Sequence, residues 1–104
     1  MRRSFREEAD WTIRLDHFLR ASRLIPRRTV AQELCGRGAV MVNGLPARAA
    51  RQVRIGDRIE LPRAGRLLIV RVVALPRTKQ VSRHEASALY EVLEERDLPA
   101  DLSL

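Results

Sequence analysis

Hydrophobic positions along the chain change period once, near residue 40, and that change divides the sequence into a helical front and a β-rich remainder. Residues 1–12 are polar and unpatterned and read as a loose arm, with Trp11 and Ile13 tacking its end to the body. Leu15, Phe18 and Leu19 then fall at the spacing of one helix face. Pro26 opens a second helix, expected from about Arg27 to Cys35, because proline is favoured where a helix starts and an N–H is not needed. Val30 and Leu34 lie on one face of it, with Ala31 and Cys35 beside them. Gly36 and Gly38 end it, since glycine takes the left-handed conformation at a helix C-terminus without penalty.

From residue 40 the pattern becomes that of strands. Val40-Met41-Val42 runs into Asn43-Gly44, the strongest short-range signal for a hairpin. Gly56-Asp57 precedes the alternating Arg58-Ile59-Glu60-Leu61, and Arg63-Ala64-Gly65 is a further turn. The run Leu67 to Leu75 is long and β-branched, with Leu68, Val70 and Val72 on one face, and Pro76 stops it. Ala86, Leu89, Tyr90 and Leu93 recur at i, i+3, i+4 and i+7 with glutamates opposite, which predicts a last helix. The expected order is α-α-β-β-β-β-α, an α+β chain with two N-terminal helices packed on a small, mostly antiparallel sheet and a C-terminal helix. At 104 residues it fits one domain, with no internal repeat, low-complexity tract or linker.

Charge sharpens the picture. The formal net charge is +7, but it is unevenly spread. Sixteen basic and four acidic residues lie between Arg14 and Arg83, whereas one basic and six acidic residues follow from His84 onward. Such a body repels itself unless a polyanion sits on it, and nucleic acid is the commonest such partner. Arginine-rich composition, solubility or a membrane surface are the plainer readings. No apolar run approaches the roughly 18 residues of a membrane span. The opening MRRSFREEADW has charges but no apolar stretch behind them, unlike a secretory signal. A cytoplasmic location is expected.

Signatures of catalysis are missing from the pattern, and no cofactor or metal is expected. His17 and His84 have no acidic or cysteine partner at ligand spacing. Cys35, the sole cysteine, lies on an apolar helix face, where packing is the simpler role than a reactive thiol. The glycines of Gly36-Arg37-Gly38 and Asn43-Gly44 lack the Lys-Ser/Thr of a phosphate loop. Arginine placement does stand out. Arg14, Arg20, Arg23, Arg27 and Arg28 lie around the first helix and the start of the second, and Arg48, Arg51 and Arg54 follow the hairpin. A guanidinium fork and the N–H groups of a helix start both suit backbone phosphates. Asp16 has two readings: a cap on the first helix, or a group that orients a neighbouring arginine. Asn43 and Gly44 are most simply turn formers, with contact to RNA the alternative.

Arg14-Leu15-Asp16-x-Phe18-Leu19, Arg23-Leu24-Ile25 with Arg27-Arg28-Thr29-x-Ala31, Gly38-x-Val40-x-Val42-Asn43-Gly44 and Val53-x-x-Gly56-Asp57-x-Ile59 together resemble the S4-type RNA-binding domain. The resemblance covers about residues 13–75, leaving residues 76–104 as a C-terminal helical extension. It implies binding of structured RNA on the basic helix-pair face, through Arg14, Asp16, Arg20, Arg23, Arg27, Arg28, Asn43, Gly44 and Arg48. His17, Gln32 and Ala39 stand where basic residues are frequent in that family, which softens the charge of the face.

Members of the family also occur as appendages on RNA-modifying enzymes and tyrosyl-tRNA synthetases, but 104 residues leave no room for a catalytic domain. Two stand-alone branches share a segment like Glu85-Ala86-x-x-Leu89-Tyr90. One acts in bacterial ribosome quality control: it binds obstructed large subunits through rRNA and peptidyl-tRNA, and steadies the P-site tRNA while an RqcH-type factor directs C-terminal tail synthesis. The other, a heat-shock branch, binds free large subunits carrying a nascent chain and continues into a long basic tail. The acidic end here, and the run Arg23 to Thr29, are more similar to the first branch. An accessory RNA-binding subunit of an RNA-modifying enzyme, or a module that binds only protein through the acidic last helix, are the readings outside that branch. A monomer is expected off the ribosome.

Overall fold

The computed structural model describes residues 11–78 and 80–98. Two short helices, α1 (Leu15–Ala21) and α2 (Arg28–Gly36), lie against a sheet in which every paired strand is antiparallel. The strands are β1 (Ile13–Arg14), β2 (Met41–Val42), β3 (Leu45–Pro46), β4 (Gln52–Val53), β5 (Arg58–Arg63), β6 (Arg66–Val72) and β7 (Tyr90–Asp97). A third helix, α3 (Arg83–Ser87), lies between β6 and β7. Five strands form one sheet in the order β3-β2-β5-β6-β7, while β1 and β4 form a separate pair. The chain is α+β, as its periodicity predicts.

Local chemistry explains most of these elements. The helix α2 ends in a Schellman motif: Gly38 takes φ +76°, its N–H bonds to the Cys35 carbonyl at 3.0 Å, and the Ala39 N–H bonds to that of Leu34 at 3.0 Å. Pro26 lies just ahead of the helix rather than inside it, since Arg27 is the N-cap. Asn43 and Gly44 both have positive φ, 52° and 88°, and link β2 to β3 in the two-residue turn that matches strand twist. Ala64 and Gly65 do the same between β5 and β6.

Leu15, Phe18 and Leu19 of α1 meet Ala31, Leu34 and Cys35 of α2, and both helices pack on Val42, Ile59, Leu61, Leu68, Val70 and Val72. Burying a side chain such as Phe18 stabilises by about 1.5–3 kcal/mol. Val30, expected on the apolar face of α2, is instead exposed; the buried stripe runs through Ala31, Leu34 and Cys35.

The expected last helix is the main correction. α3 stops at Ser87, and Tyr90, Glu91, Val92 and Leu93 belong to β7, which pairs along β6 from Val72↔Tyr90 to Arg66↔Asp97. Pairing satisfies the backbone of β6, which would otherwise be an open edge beside the core. Opposite charges add to it: Arg71 lies 3.3 Å from Glu91 and Arg66 lies 3.5 Å from Asp97. Leu93 is the extra residue of a bulge between Ile69 and Val70 of the partner strand. The helix that does form is short and well begun, with Ser82 and Glu85 in a reciprocal capping box. Of the expected N-terminal arm, residues 1–10 lie outside the described residues. Trp11 carries the Arg77 guanidinium 5.7 Å from its ring centre, and Thr12 lies 2.6 Å from the Gln52 side chain.

Candidate nucleic-acid interface

The start of α1 is built without a side-chain cap. Its first N–H groups are satisfied by a distant loop instead: Leu15 donates to the Arg51 carbonyl at 2.8 Å and Asp16 to that of Ala49 at 3.1 Å. This leaves the Asp16 carboxylate for another use. It is fully buried, and Arg14 donates to it through Nε at 3.1 Å and Nη2 at 3.2 Å. Arg28, the first residue of α2, donates through Nε at 3.2 Å, and Gln32, one turn on, through Nε2 at 2.9 Å. The orienting role is therefore what the geometry supports, and the capping role is not.

Electrostatics follow from that arrangement. Burial alone would push the Asp16 carboxyl up, but donation from Arg14, Gln32 and Arg28 outweighs it and holds the group well below the usual carboxylate range. The carboxylate stays ionised, and the side chains of the two arginines it holds remain 45% and 44% exposed. Each is anchored on its inner side and open on its outer side. Two cations fixed in this way, at the meeting point of two helices, suit the oxygens of a phosphate backbone.

Gln32, which the sequence suggests only as a lost positive charge, proves to be part of the anchor. It also lines an open groove of about 560 Å³ between the end of α2 and the loop after β3, shared with Cys35, Gly36, Ala47, Arg48 and Ala49. Arg48 thus shares that groove with Gln32, the residue through which α2 also holds Asp16. Cys35 is buried there, and its thiol is pushed up to about 11 by burial and by the negative charge of Asp16, which keeps it protonated and suits packing rather than nucleophilic chemistry.

Arg20 and Arg23 lie at the other end of α1, around a small cavity of about 90 Å³ with Pro26 and Val81. Arg23 takes φ +63° and donates to the Val81 carbonyl at 3.2 Å, so it is held rather than loose. Arg27 is the N-cap of α2 and exposed.

Asn43 and Gly44 are at the tip of the β2–β3 hairpin. The Asn43 amide donates to Asp57 Oδ1 at 3.1 Å, and its oxygen accepts the Arg58 N–H at 2.9 Å. Its polar atoms are engaged in fixing the hairpin to the start of β5. No helix among the described residues is long and apolar enough to cross a membrane.

A helix pair that anchors outward-facing arginines on a buried carboxylate, backed by an antiparallel sheet, defines a basic module of the S4 type. The S4 domain family model matches residues 13–59. The RQC P-site tRNA stabilizing factor of Halalkalibacterium halodurans is 42% identical over 83% of this chain and 96% of its own length. That of Bacillus subtilis is 38% identical over 83% of this chain and 98% of its own length. Among solved structures, trimeric heat shock protein 15 of Vibrio cholerae aligns with a TM-score of 0.73 at 26% identity, over 80% of this chain and 83% of that one. The chain belongs to the S4-domain family and, within it, to the family of RQC P-site tRNA stabilizing factors.

Proposed function

We propose that this protein is a non-catalytic RNA-binding factor of bacterial ribosome quality control, binding obstructed large ribosomal subunits through rRNA and peptidyl-tRNA. On this reading it steadies the P-site tRNA while an RqcH-type factor elongates a C-terminal tail, and it is a monomer off the ribosome. The observation that carries the proposal is the Asp16 anchor, which presents Arg14 and Arg28 to solvent at the junction of two helices. Arg48 across the groove, Arg27 at the start of α2, and Arg20 and Arg23 at the end of α1 extend the cationic surface. The name of these relatives supplies the tRNA and its site.

A small basic domain bridges two polyanions only where they lie side by side, and a split subunit carrying peptidyl-tRNA offers that arrangement. Each contact alone is weak and sensitive to salt; together they raise each other's effective concentration. Purified protein is therefore added to large subunits with and without bound peptidyl-tRNA, and retention is measured in a density gradient. Retention should be much greater with the tRNA. If about five to seven phosphates are engaged, log affinity should fall against log salt with a slope of roughly −4 to −6. Equal retention with and without tRNA removes the P-site role while leaving rRNA binding in place. Preference for small subunits, or a flat salt response, removes the ribosomal reading.

A further inference from the structure

The five-stranded sheet has two ends, and they are treated differently. At one end β3 is only two residues long and contains Pro46, which blunts it. At the other, β7 runs for eight residues with neither proline nor lysine, and nearly all of it is exposed. The direction of its backbone can be followed from its neighbours. The Val72 N–H bonds to the Asp57 carbonyl and the Val72 carbonyl accepts from Gly56, so Val72 faces β5, and so does Val70 two residues earlier. Val92, which pairs with Val70, therefore directs its own N–H and carbonyl away from β6, toward the open edge.

The side chains on this strand are unlike the rest of the body. The strand carries Glu91, Glu94, Glu95 and Asp97, of which Glu91, Glu94 and Asp97 are paired with Arg71, Arg96 and Arg66, in a molecule whose residues 14–83 are strongly basic. Glu95 has no ion-pair partner among the described residues, and Val92 and Leu93 are 54% and 40% exposed. With its arginines already paired and Glu95 left over, such a strand offers phosphates no attraction. A second copy of β7 would set carboxylates against carboxylates, which disfavours self-pairing. An extended segment carrying lysine or arginine meets neither obstacle. It finds free backbone groups, exposed apolar side chains and opposite charge together.

We propose that the outer edge of β7 is a docking strand for an extended basic segment of a partner protein, which adds to the sheet beside Tyr90–Asp97. The molecule is then bipolar, with arginines for a polyanion on the helix pair and a carboxylate-rich edge for a polycation on the sheet.

The test uses the full chain and a fluorescent peptide of alternating lysine and valine, followed by anisotropy. The peptide should bind. Replacing its lysines by glutamate, or methylating alternate backbone nitrogens, should weaken binding by about tenfold or more, since ladder hydrogen bonds and cross-strand charge both contribute. Val92→Pro removes one outward N–H at an edge position that proline tolerates, and should cause a similar loss. Glu94→Lys/Glu95→Lys provides the same readout without a backbone change, should the proline variant fail to fold. RNA retention should be unchanged in the charge variant or should rise. No binding of the lysine peptide overturns the proposal, as does equal binding of its methylated form, which would mean that charge alone acts. Self-association that Val92→Pro abolishes overturns it in favour of a second copy.

Discussion

Asp16 and Asp57 are both buried carboxylates, and they do opposite things with their lone pairs. Asp57 turns inward. It accepts the Arg54 N–H at 3.0 Å and the Asn43 amide at 3.1 Å, so every partner is part of the scaffold. Asp16 turns to cations, and the two arginines that it holds keep nearly half of their surface in water. One carboxylate closes a knot between a hairpin and a strand; the other organises a charged surface. The difference lies in the partners rather than in the acid, and it separates the family-implied site into two groups. Arg14 and Arg28 are held on the buried Asp16 with their side chains about half exposed, while the side chain of Asn43 is engaged in holding a turn.

Removal of each carboxylate exposes the contrast most strongly. Asp16→Ala should lower stability by about 1.5–3 kcal/mol, the value of hydrogen bonds to a charged group. It should also weaken RNA retention by roughly tenfold, because two arginines must then be ordered on binding at about 0.5–1.5 kcal/mol each. Asp57→Ala should lower stability by a similar or smaller amount, about 1–3 kcal/mol, by leaving the Arg54 N–H and the Asn43 amide without an acceptor. Its RNA affinity, measured where the variant is folded, should match the parent. Thermal melts and filter retention on the same samples separate the two outcomes. An affinity loss of equal size in both variants would mean that the hairpin knot belongs to the interface.

What the sequence made legible was local. The helix pair, the stop at Gly38 and the turns at Asn43-Gly44 and Ala64-Gly65 depend on residues within a few positions of one another. β7 was illegible because Ala86, Leu89, Tyr90 and Leu93 mimic a helical stripe, and only the free edge of β6 decides otherwise. The two-residue strands β1 and β4 depend on a pairing across the fold, Ile13↔Val53, that no local pattern announces. Within the site, the arginines were visible by type and position. For Asp16 the sequence left two readings open, capping or orienting an arginine, since the choice depends on α2 bringing Arg28 and Gln32 over the start of α1. The loop carbonyls of Ala49 and Arg51, which free Asp16 from capping, are likewise contacts at long range.

Acid should reveal the same asymmetry with a smaller effect. The folded Asp16 carboxyl lies well below its usual range, so the unfolded chain binds its proton first as the pH falls. Stability from this group is complete above the unfolded value, about pH 4, and is lost as the pH falls through the folded value. Melting temperature followed from neutral pH downward should thus fall more steeply in the parent than in Asp16→Asn, with the gap between them closing in strong acid. Parallel curves would show that the arginines do not hold the carboxylate ionised.

The smallest effect concerns Arg23, at the end of α1 farthest from the Asp16 anchor. Its φ of +63° places an arginine where a helix exit favours glycine, and its N–H bonds to the Arg20 carbonyl at 3.0 Å as such an exit requires. A residue with a Cβ pays roughly 1–2 kcal/mol for that conformation. Arg23→Gly relieves the strain but loses the exposed bond to Val81 and adds freedom to the unfolded chain, at about 0.4–1 kcal/mol. The net should be a small stabilisation, within about 1 kcal/mol, or a rise of a few degrees in melting temperature. Arg23→Ala keeps the strain and loses the bond, so it should be less stable than Arg23→Gly. If the arginine is held in that conformation to meet RNA, Arg23→Gly should also weaken retention and lower the salt slope by about one phosphate's share, roughly 0.7–0.9. A variant that is more stable and binds RNA as before would place Arg23 outside the interface and confine the functional cations to the Asp16 side of the helix pair.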